Sequence, residues 1–308
     1  MHVIHGHKHV LPEFRGSAIA IGNFDGVHRG HRALISEAKR HARDAKAPSA
    51  VMIFEPHPRE FFQPDETHFR LTPLKRKIVL LETLGIDVAF VEPFNAELAA
   101  LTAEQFIERV LVAGLGVVHV VIGYDFYFGH KRGGNPELMV RAGEELGFGV
   151  TVMPPIAEAG EPFSSSGVRL YLAQGDVKGA AHVLGENWRV AGRVVGGAKR
   201  GTGMGYPTAN LPMPKGTTLG HGIYAVRAYF DGIPHDAAAY LGTRPTFDDG
   251  MPVLEVYLFD FSGDLYGREM EVEFIDFIRG DRKFHSVDEL VAQMDEDIAK
   301  VQAVLAKA

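Results

Sequence analysis

The chain has 308 residues, a formal net charge of −7, 46% hydrophobic residues and no cysteine. That length allows two domains with cores of their own, and the negative balance argues against general nucleic-acid binding and against an anionic membrane surface. The absence of cysteine excludes disulfides, thiolate metal sites and a cysteine nucleophile, and no apolar stretch approaches the length of a membrane span.

The N-terminal MHVIHGHKHV lacks the apolar centre of a signal peptide. Its His2, His5, His7 and His9 could suggest metal binding. With no carboxylate or further histidine nearby in the sequence, they read as a solvated strand or loop. Ser17 to Ile21 then reads as a short buried strand, and Gly22, Gly26 and Gly30 let the backbone pass close to a ligand. A helical pattern begins near Val27. His28 and His31, three residues apart, share its first turn, where unpaired N–H groups and the helix dipole suit phosphate. With Asp25, this SAIAIGNFDGVHRGHRAL stretch resembles the HxGH signature of nucleotidyltransferases that release pyrophosphate from ATP.

Further apolar runs at Val51–Phe54, Val88–Val91, Val117–Ile122 and Val150–Met153 lack strict alternation, as strands covered on both faces do. Helical stretches are expected near 31–46, 73–84, 102–114 and 136–147. Thr102 with Gln105 forms a capping box, and Asn135 is followed by Pro136 at a helix start. This alternation predicts a doubly wound parallel sheet, which binds ligands beyond the carboxyl ends of its strands. Two more segments follow strands in that way. EPHPREFF carries His57 between Pro56 and Pro58, followed by Arg59 as a phosphate-competent cation, and reads equally as a rigid loop. GYDFYFGHKRGG carries Asp125 and four aromatics, most of which should pack. In FSSSGVRL, serine hydroxyls, a helix N-terminus and Arg169 can meet one phosphate chain. That helix runs through Leu172, and Asp176 opens another that ends near Leu184.

Past Gly185 the runs become short and alternating: Trp188–Val195, Ile223–Tyr229, Ala237–Leu241, Leu254–Phe259 and Met270–Phe277. They predict an antiparallel barrel or sandwich. Ser286 with Glu289 reads as a capping box opening a last helix, with Leu290, Met294, Ile298 and Val301 on its apolar face. The expected domains are 1–185 and 186–308. In GGAKRGTGMGYPTANL, residues 196–211, glycines including Gly201 and Gly205 can wrap a phosphate. Pro207 sets a turn that presents Thr208 and Asn210, hard oxygen donors suited to magnesium. Glu255 shares a strand face with Val253 and Tyr257, and is either a solvated carboxylate or a used one.

Taken together, AIGNFDGVHRGH, FEPHPREFF, RLTPLKRKIVLLETLGID, VIGYDFYFG, SSSGVR, RGTGMGYPTANL, LGTRPTF, LEVYLFDFSGDLYG and KFHSVDELVAQMDEDI resemble the prokaryotic bifunctional riboflavin kinase/FMN adenylyltransferase family over essentially the whole chain. The resemblance implies a Rossmann-like nucleotidyltransferase domain followed by a kinase β-barrel with a terminal helix. It implies conversion of riboflavin to FMN in the second domain and of FMN to FAD in the first, with ATP as donor and Mg2+ required, in the cytoplasm, without nucleic-acid or membrane partners. His28 and His31 would bind ATP phosphates and stabilise the leaving pyrophosphate. Gly22, Phe24, Asp25, His57, Asp125, Ser164, Ser165 and Arg169 would line the same nucleotide and flavin cleft. Gly201, Gly205, Pro207, Thr208, Asn210 and Arg244 would form the kinase site, with Thr208 and Asn210 holding magnesium and Glu255 accepting the riboflavin hydroxyl proton. Ser166, Thr202 and Tyr257 depart from the family pattern, and Thr202 puts one phosphate contact of the kinase site in doubt. A nucleotidyltransferase for another acceptor and a nucleotide-binding sensor without turnover are the alternatives. The PTAN segment and the intact His28, His31, Thr208, Asn210 and Glu255 speak against them.

Overall fold

The computed structural model describes residues 1–196, 206–214, 216–243 and 252–308. It divides into two compact units, Met1–Ser165 and Ser166–Ala308.

The first unit is built on six parallel strands: β1 (His2–His5), β2 (Ala18–Ile21), β3 (Ser49–Glu55), β4 (Val88–Pro93), β5 (His119–Gly123) and β6 (Gly149–Met153), in the order β1-β4-β3-β2-β5-β6. Every residue of β2 is buried. Ile19 and Ile21 join the core on one face, with Met52, Phe90 and Ile122. Ala20 joins the core on the other, with Val51, Ala89 and Val121. Burial on both faces is why these strands read as continuous apolar runs. Helix α1 (Arg29–Ala45) and α3 (Leu74–Thr83) cover one face through Ile35, Ala38, Leu80 and Leu81. The other is covered by a π-helical stretch, Phe106–Leu115, which follows the short α5 (Ala103–Gln105), and by α6 (Pro136–Leu146). Both bonds of the Thr102/Gln105 capping box form, and Asn135 caps α6 by accepting from Leu138 N–H at 2.9 Å. Two short helices, α2 (Pro58–Phe62) and α4 (Ala96–Ala99), and the small hairpin of β7 (Ala157–Glu158) and β8 (Glu161–Pro162) complete this unit.

Two sequence expectations change here. EPHPREFF is not only a rigid loop, because His57 caps α2 by accepting from Arg59 N–H at 3.1 Å. The expectation that His7 has no carboxylate near it also fails. Parallel pairing of β1 with β4 brings Glu92 to 2.7 Å from its Nδ1.

Helix α7 (Ser165–Ala173) begins at the division between the units, and α8 (Val177–Leu184) is capped by Asp176. In the second unit, β9 (Arg189–Arg193), β10 (Ala209–Pro212), β11 (Gly222–Phe230), β12 (Ile233–Thr243), β13 (Pro252–Leu258) and β14 (Glu269–Arg279) form an antiparallel sheet, order β10-β13-β12-β11-β14-β9. A bridge between Val195 and Asn210 brings its edges together into a barrel. Leu211, Tyr224, Val226, Leu241, Leu254, Val256 and Phe274 are buried within it. The last helix, α9 (Val287–Leu305), packs Val301 and Leu305 on the outer face against Ala225 and Ile275.

The C-terminal capping box closes on one side only. Ser286 accepts from Glu289 N–H at 3.1 Å, while the Glu289 carboxylate takes the N–H of His285 rather than of Ser286. The buried stripe of α9 also differs from the apolar face read from the sequence. It runs through Gln293, Asp297, Val301 and Leu305, because Arg279 meets Asp297 at 2.7–3.0 Å and supplies the polar partner a buried carboxylate needs.

Candidate active sites

In the first unit, consecutive connections run from β2 outward through β3 and β4, then jump to β5 on the other side of β2. The reversal opens a crevice at the carboxyl ends of β2 and β5, where doubly wound sheets bind ligands. The turn after β2 enters it. Phe24, Gly26 and Val27 adopt φ of 47°, 91° and 45°. For Phe and the β-branched Val such conformations cost roughly 1–3 kcal/mol each. Burial of both side chains, each about 1.5–3 kcal/mol, is of the size needed to hold them: Phe24 is 1% and Val27 0% exposed.

His28 is the N-cap of α1, and its Nδ1 accepts from His31 N–H at 3.3 Å. That bond leaves Nε2 as the protonated, donating nitrogen of a neutral ring. The two imidazoles stack with centroids 3.5 Å apart, and Phe24 meets His31 edge-on at 5.2 Å. Burial pulls His28 down to about 4 against the opposing charge of Asp25. Burial, His28 and Lys77 hold His31 well below its ordinary value. Both rings are therefore neutral near pH 7. Nδ1 of His31 and Oδ1 of Asn23 are buried without a hydrogen-bond partner in the chain, an uncommon state for native polar atoms. Gly30 leaves little room at its position, since a Cβ there would sit 3.1 Å from the His28 ring and 3.2 Å from Phe163 O.

Asp25 shapes this turn. Its carboxylate accepts from Leu71 N–H (3.2 Å) and Thr72 N–H (3.1 Å), while Thr72 Oγ1 accepts from Gly26 N–H (3.1 Å). Ser165 Oγ donates to the Asp25 carbonyl at 2.8 Å. Lys77, also buried, donates to Asn23 O at 2.6 Å. His57 is held near 4 by burial and His68, and it responds to both Asp25 and Lys77, which brings it within electrostatic reach of the same turn. Asp125 is exposed just past the end of β5. Of the four nearby aromatics, Phe126 and Phe128 pack into the core, fewer than the sequence suggested, because Tyr124 and Tyr127 are half exposed. Gly22 adjoins the Phe24 ring, at 3.3 Å from a built Cβ. Ser164 directly precedes α7, and Arg169 lies one turn beyond Ser165 on that helix, in the second unit.

In the second unit, Asn210 is not presented by a turn. It lies in β10, where it is the register partner of Glu255 on β13, and Glu255 in turn pairs with Tyr240 on β12. Cross-strand partners share a face, so Asn210, Glu255 and Tyr240 form one row. It lies on the outer face of the barrel, because Leu254, Val256 and Leu258 fill the inner one. Asn210 is 4% exposed and its Nδ2 donates to Thr208 O at 3.4 Å. Burial, the Asp281 carboxylate that it hydrogen-bonds, and Glu255 push the Tyr240 phenol up to about 12. Tyr206, beside Pro207, donates to Asp295 of α9 at 2.6 Å and meets Tyr257 edge-on at 5.4 Å. Helix α9 thus forms one rim of a polar row floored by a rigid sheet. Gly201, Gly205 and Arg244, with Thr202, lie outside the described residues. The sequence reading passed over Lys77, Thr72, Tyr206 and Tyr240. Lys77 and Thr72 stood inside a noted motif, but nothing local said that they would be buried against the Asp25 turn.

The chain matches the FAD synthetase family model over residues 10–167 and the riboflavin kinase family model over residues 184–305. It is 39% identical to a bifunctional riboflavin kinase/FMN adenylyltransferase of Pseudomonas fluorescens, covering 99% of this chain and 98% of the relative. It is 41% identical to the protein of that description in Escherichia coli strain K12, covering 92% and 90%. A crystal structure described as a macrolide-efflux protein from Streptococcus pneumoniae superposes with a TM-score of 0.85 at 28% identity, covering 98% of this chain and 99% of that one. No helix among the described residues is long and apolar enough to cross a membrane.

Proposed function

We infer how this chain divides the work of the family to which it belongs, the bifunctional riboflavin kinase/FMN adenylyltransferases. It phosphorylates riboflavin to FMN with one ATP and adenylylates FMN to FAD with another, releasing pyrophosphate. The adenylyl transfer belongs to the crevice at the ends of β2 and β5, and the kinase reaction to the Asn210–Glu255–Tyr240 row.

In the crevice, the Nε2–H of His28 and the imidazole of His31 meet the phosphate chain at the N-terminus of α1. They stabilise charge that grows on the departing pyrophosphate. Asp25 keeps the turn in shape, Gly22 and Phe24 form its wall, His57, Asp125, Ser164 and Ser165 line the nucleotide and flavin cleft, and Arg169 on α7 is the guanidinium proposed to bind phosphate. In the kinase site the Thr208 hydroxyl and the Asn210 amide oxygen are hard donors that fit a divalent cation. Mg2+ is the metal proposed, held by Thr208 and Asn210, and when bound it neutralises phosphate charge. Pro207 stiffens the entry to β10, and Gly201, Gly205 and Arg244 complete the site in this reading. Glu255 takes the proton of the riboflavin 5′-hydroxyl as that oxygen bonds to the γ-phosphorus and the bond to the β–γ bridging oxygen breaks, releasing ADP, and the neutral Tyr240 phenol beside it remains a donor. The compartment proposed is the cytoplasm, a reducing setting that suits a chain without cysteine.

The observation that supports the reading is the register pairing of Asn210 with Glu255, which sets an amide beside a carboxylate on one sheet face. Incubation of the protein with riboflavin and MgATP, followed by chromatography, is expected to give FMN and then FAD. Absence of both products overturns the reading.

A further inference from the structure

Lys77 lies on α3 within RLTPLKRKIVLLETLGID, and only 4% of the residue is exposed. A buried ammonium is tolerated when it is fully engaged. Here it donates to Asn23 O at 2.6 Å, and the charged groups that face it are Asp25 of the same turn, Arg70, Glu55 and Glu60. Asn23 directly precedes the positive-φ stretch of Phe24, Gly26 and Val27, which delivers His28 to its cap position. A turn of that shape persists only where its surroundings over-determine it. The backbone donors of Leu71 and Thr72 hold it at Asp25, and Lys77 holds it at Asn23.

We propose that Lys77 is a positioning residue for adenylyl transfer: buried against the Gly22–His28 turn, it pins the Asn23 carbonyl and so aims the imidazoles of His28 and His31 at the phosphate chain of ATP. The proposal rests on the reading of this crevice as the adenylyltransferase site. The same ammonium acts on the rings by charge. His31 is faced by His28 and Lys77, and His57 by His68, Asp25, Lys77 and Glu60. In both rings Lys77 opposes protonation, so removing its charge lets each take up a proton at higher pH. A residue that merely filled space would have no such effect.

The test follows FMN to FAD turnover against pH in the full-length chain for wild type, Lys77→Met and Lys77→Gln. Wild type that makes no FAD refutes the reading of the crevice and the proposal with it. With wild type active, Lys77→Met is expected to lose about a hundredfold in kcat, the scale of a small misplacement of catalytic groups, with little change in KM for FMN. The acid limb of its profile moves to higher pH. Lys77→Gln retains a donor for Asn23 O but no charge, so it loses less kcat and shows the same displacement of the acid limb. Riboflavin phosphorylation stays at the wild-type rate in both variants. Wild-type FAD turnover in Lys77→Met overturns the proposal, as does slow turnover with the acid limb in place. If Lys77→Met does not fold by circular dichroism, Lys77→Gln alone decides. If neither folds, Lys77 is a folding residue and the proposal falls.

Discussion

Glu255 is half-buried on a strand, flanked by Asn210 on one side and Tyr240 on the other. A carboxylate on a strand between two paired strands is held on a rigid element, as the base proposed for it would need to be. Glu255→Gln preserves size and hydrogen-bonding reach but cannot take up the proton. Loss of a general base is worth about 10²–10⁴ in rate, so steady-state FMN formation should fall by that order, with riboflavin affinity little changed and FAD formation from supplied FMN intact. Near-normal FMN turnover would make Glu255 structural. In the other unit, His28 both caps α1 and presents Nε2–H. His28→Ala or His31→Ala should slow FAD formation about a hundredfold, the usual cost of one donor to a developing oxyanion. Riboflavin phosphorylation should hardly change. A double alanine variant with wild-type FAD turnover removes both residues from the mechanism.

Among elements, α9 differs most from its sequence reading. Leu290, Met294 and Ile298 are half-buried, while polar Gln293 and Asp297 are among the residues that face inward. Asp297 is 3% exposed, holds Arg279 through three short bonds and accepts from Gln293 at 3.1 Å. Removing one partner of such a pair strands the other and costs about 3–5 kcal/mol when fully buried. Arg279 retains some exposure, so Asp297→Ala should cost roughly 2 kcal/mol. Thermal unfolding should show a clear downward shift in the transition of the second unit, and FMN formation should drop with it, because Asp295 on the same helix holds Tyr206 beside the PTAN segment. Lys300→Ala, on the exposed side of α9, should leave both unchanged. Equal melting of the two variants would show that α9 docks through its apolar residues alone.

For the whole molecule, the place where the chain can be cut is a physical question. Helices α7 and α8 belong to the second compact unit. Gly220 N–H donates to Leu172 O at 2.8 Å, a Cβ on Gly175 would sit 3.1 Å from the Phe277 ring, and Lys178 pairs with Asp276 at 2.5 Å. A fragment of residues 187–308 strips that cover, whereas 166–308 keeps it. Both should phosphorylate riboflavin without making FAD, and 166–308 should melt at the higher temperature. A folded 166–308 fragment that makes no FMN would disprove independence of the units. Acid should also separate them. His28, His57 and His119 all lie in the first unit, with values lowered from the ordinary 6.5 to about 4, in each case chiefly by burial. Between those limits the unfolded chain binds protons that the folded unit refuses, so stability falls as pH drops from about 6.5 toward 4. Melting at pH 5 should therefore lower the first unit's transition more than the second's.

Local rules determined much of this protein from sequence alone. Strand–helix alternation, the Thr102/Gln105 box, the helix start beside His28, and the change from continuous to alternating runs each depend on residues within a few positions of one another. That is the range over which helix caps and strand periodicity act. Pairing between distant segments was decided only by the tertiary structure. The register of β10 on β13 turned an expected loop into a strand and set Asn210 opposite Glu255. Parallel pairing of β1 with β4 gave His7 the Glu92 carboxylate. Packing of α3 and of the segment that leads into it placed Lys77 and Thr72 against the Asp25 turn, and the barrel face buried Asp297. A one-residue slip in register would move each strand side chain to the opposite face. Composition and spacing carry no record of that choice, which rests on which buried faces and polar partners the whole fold can satisfy at once.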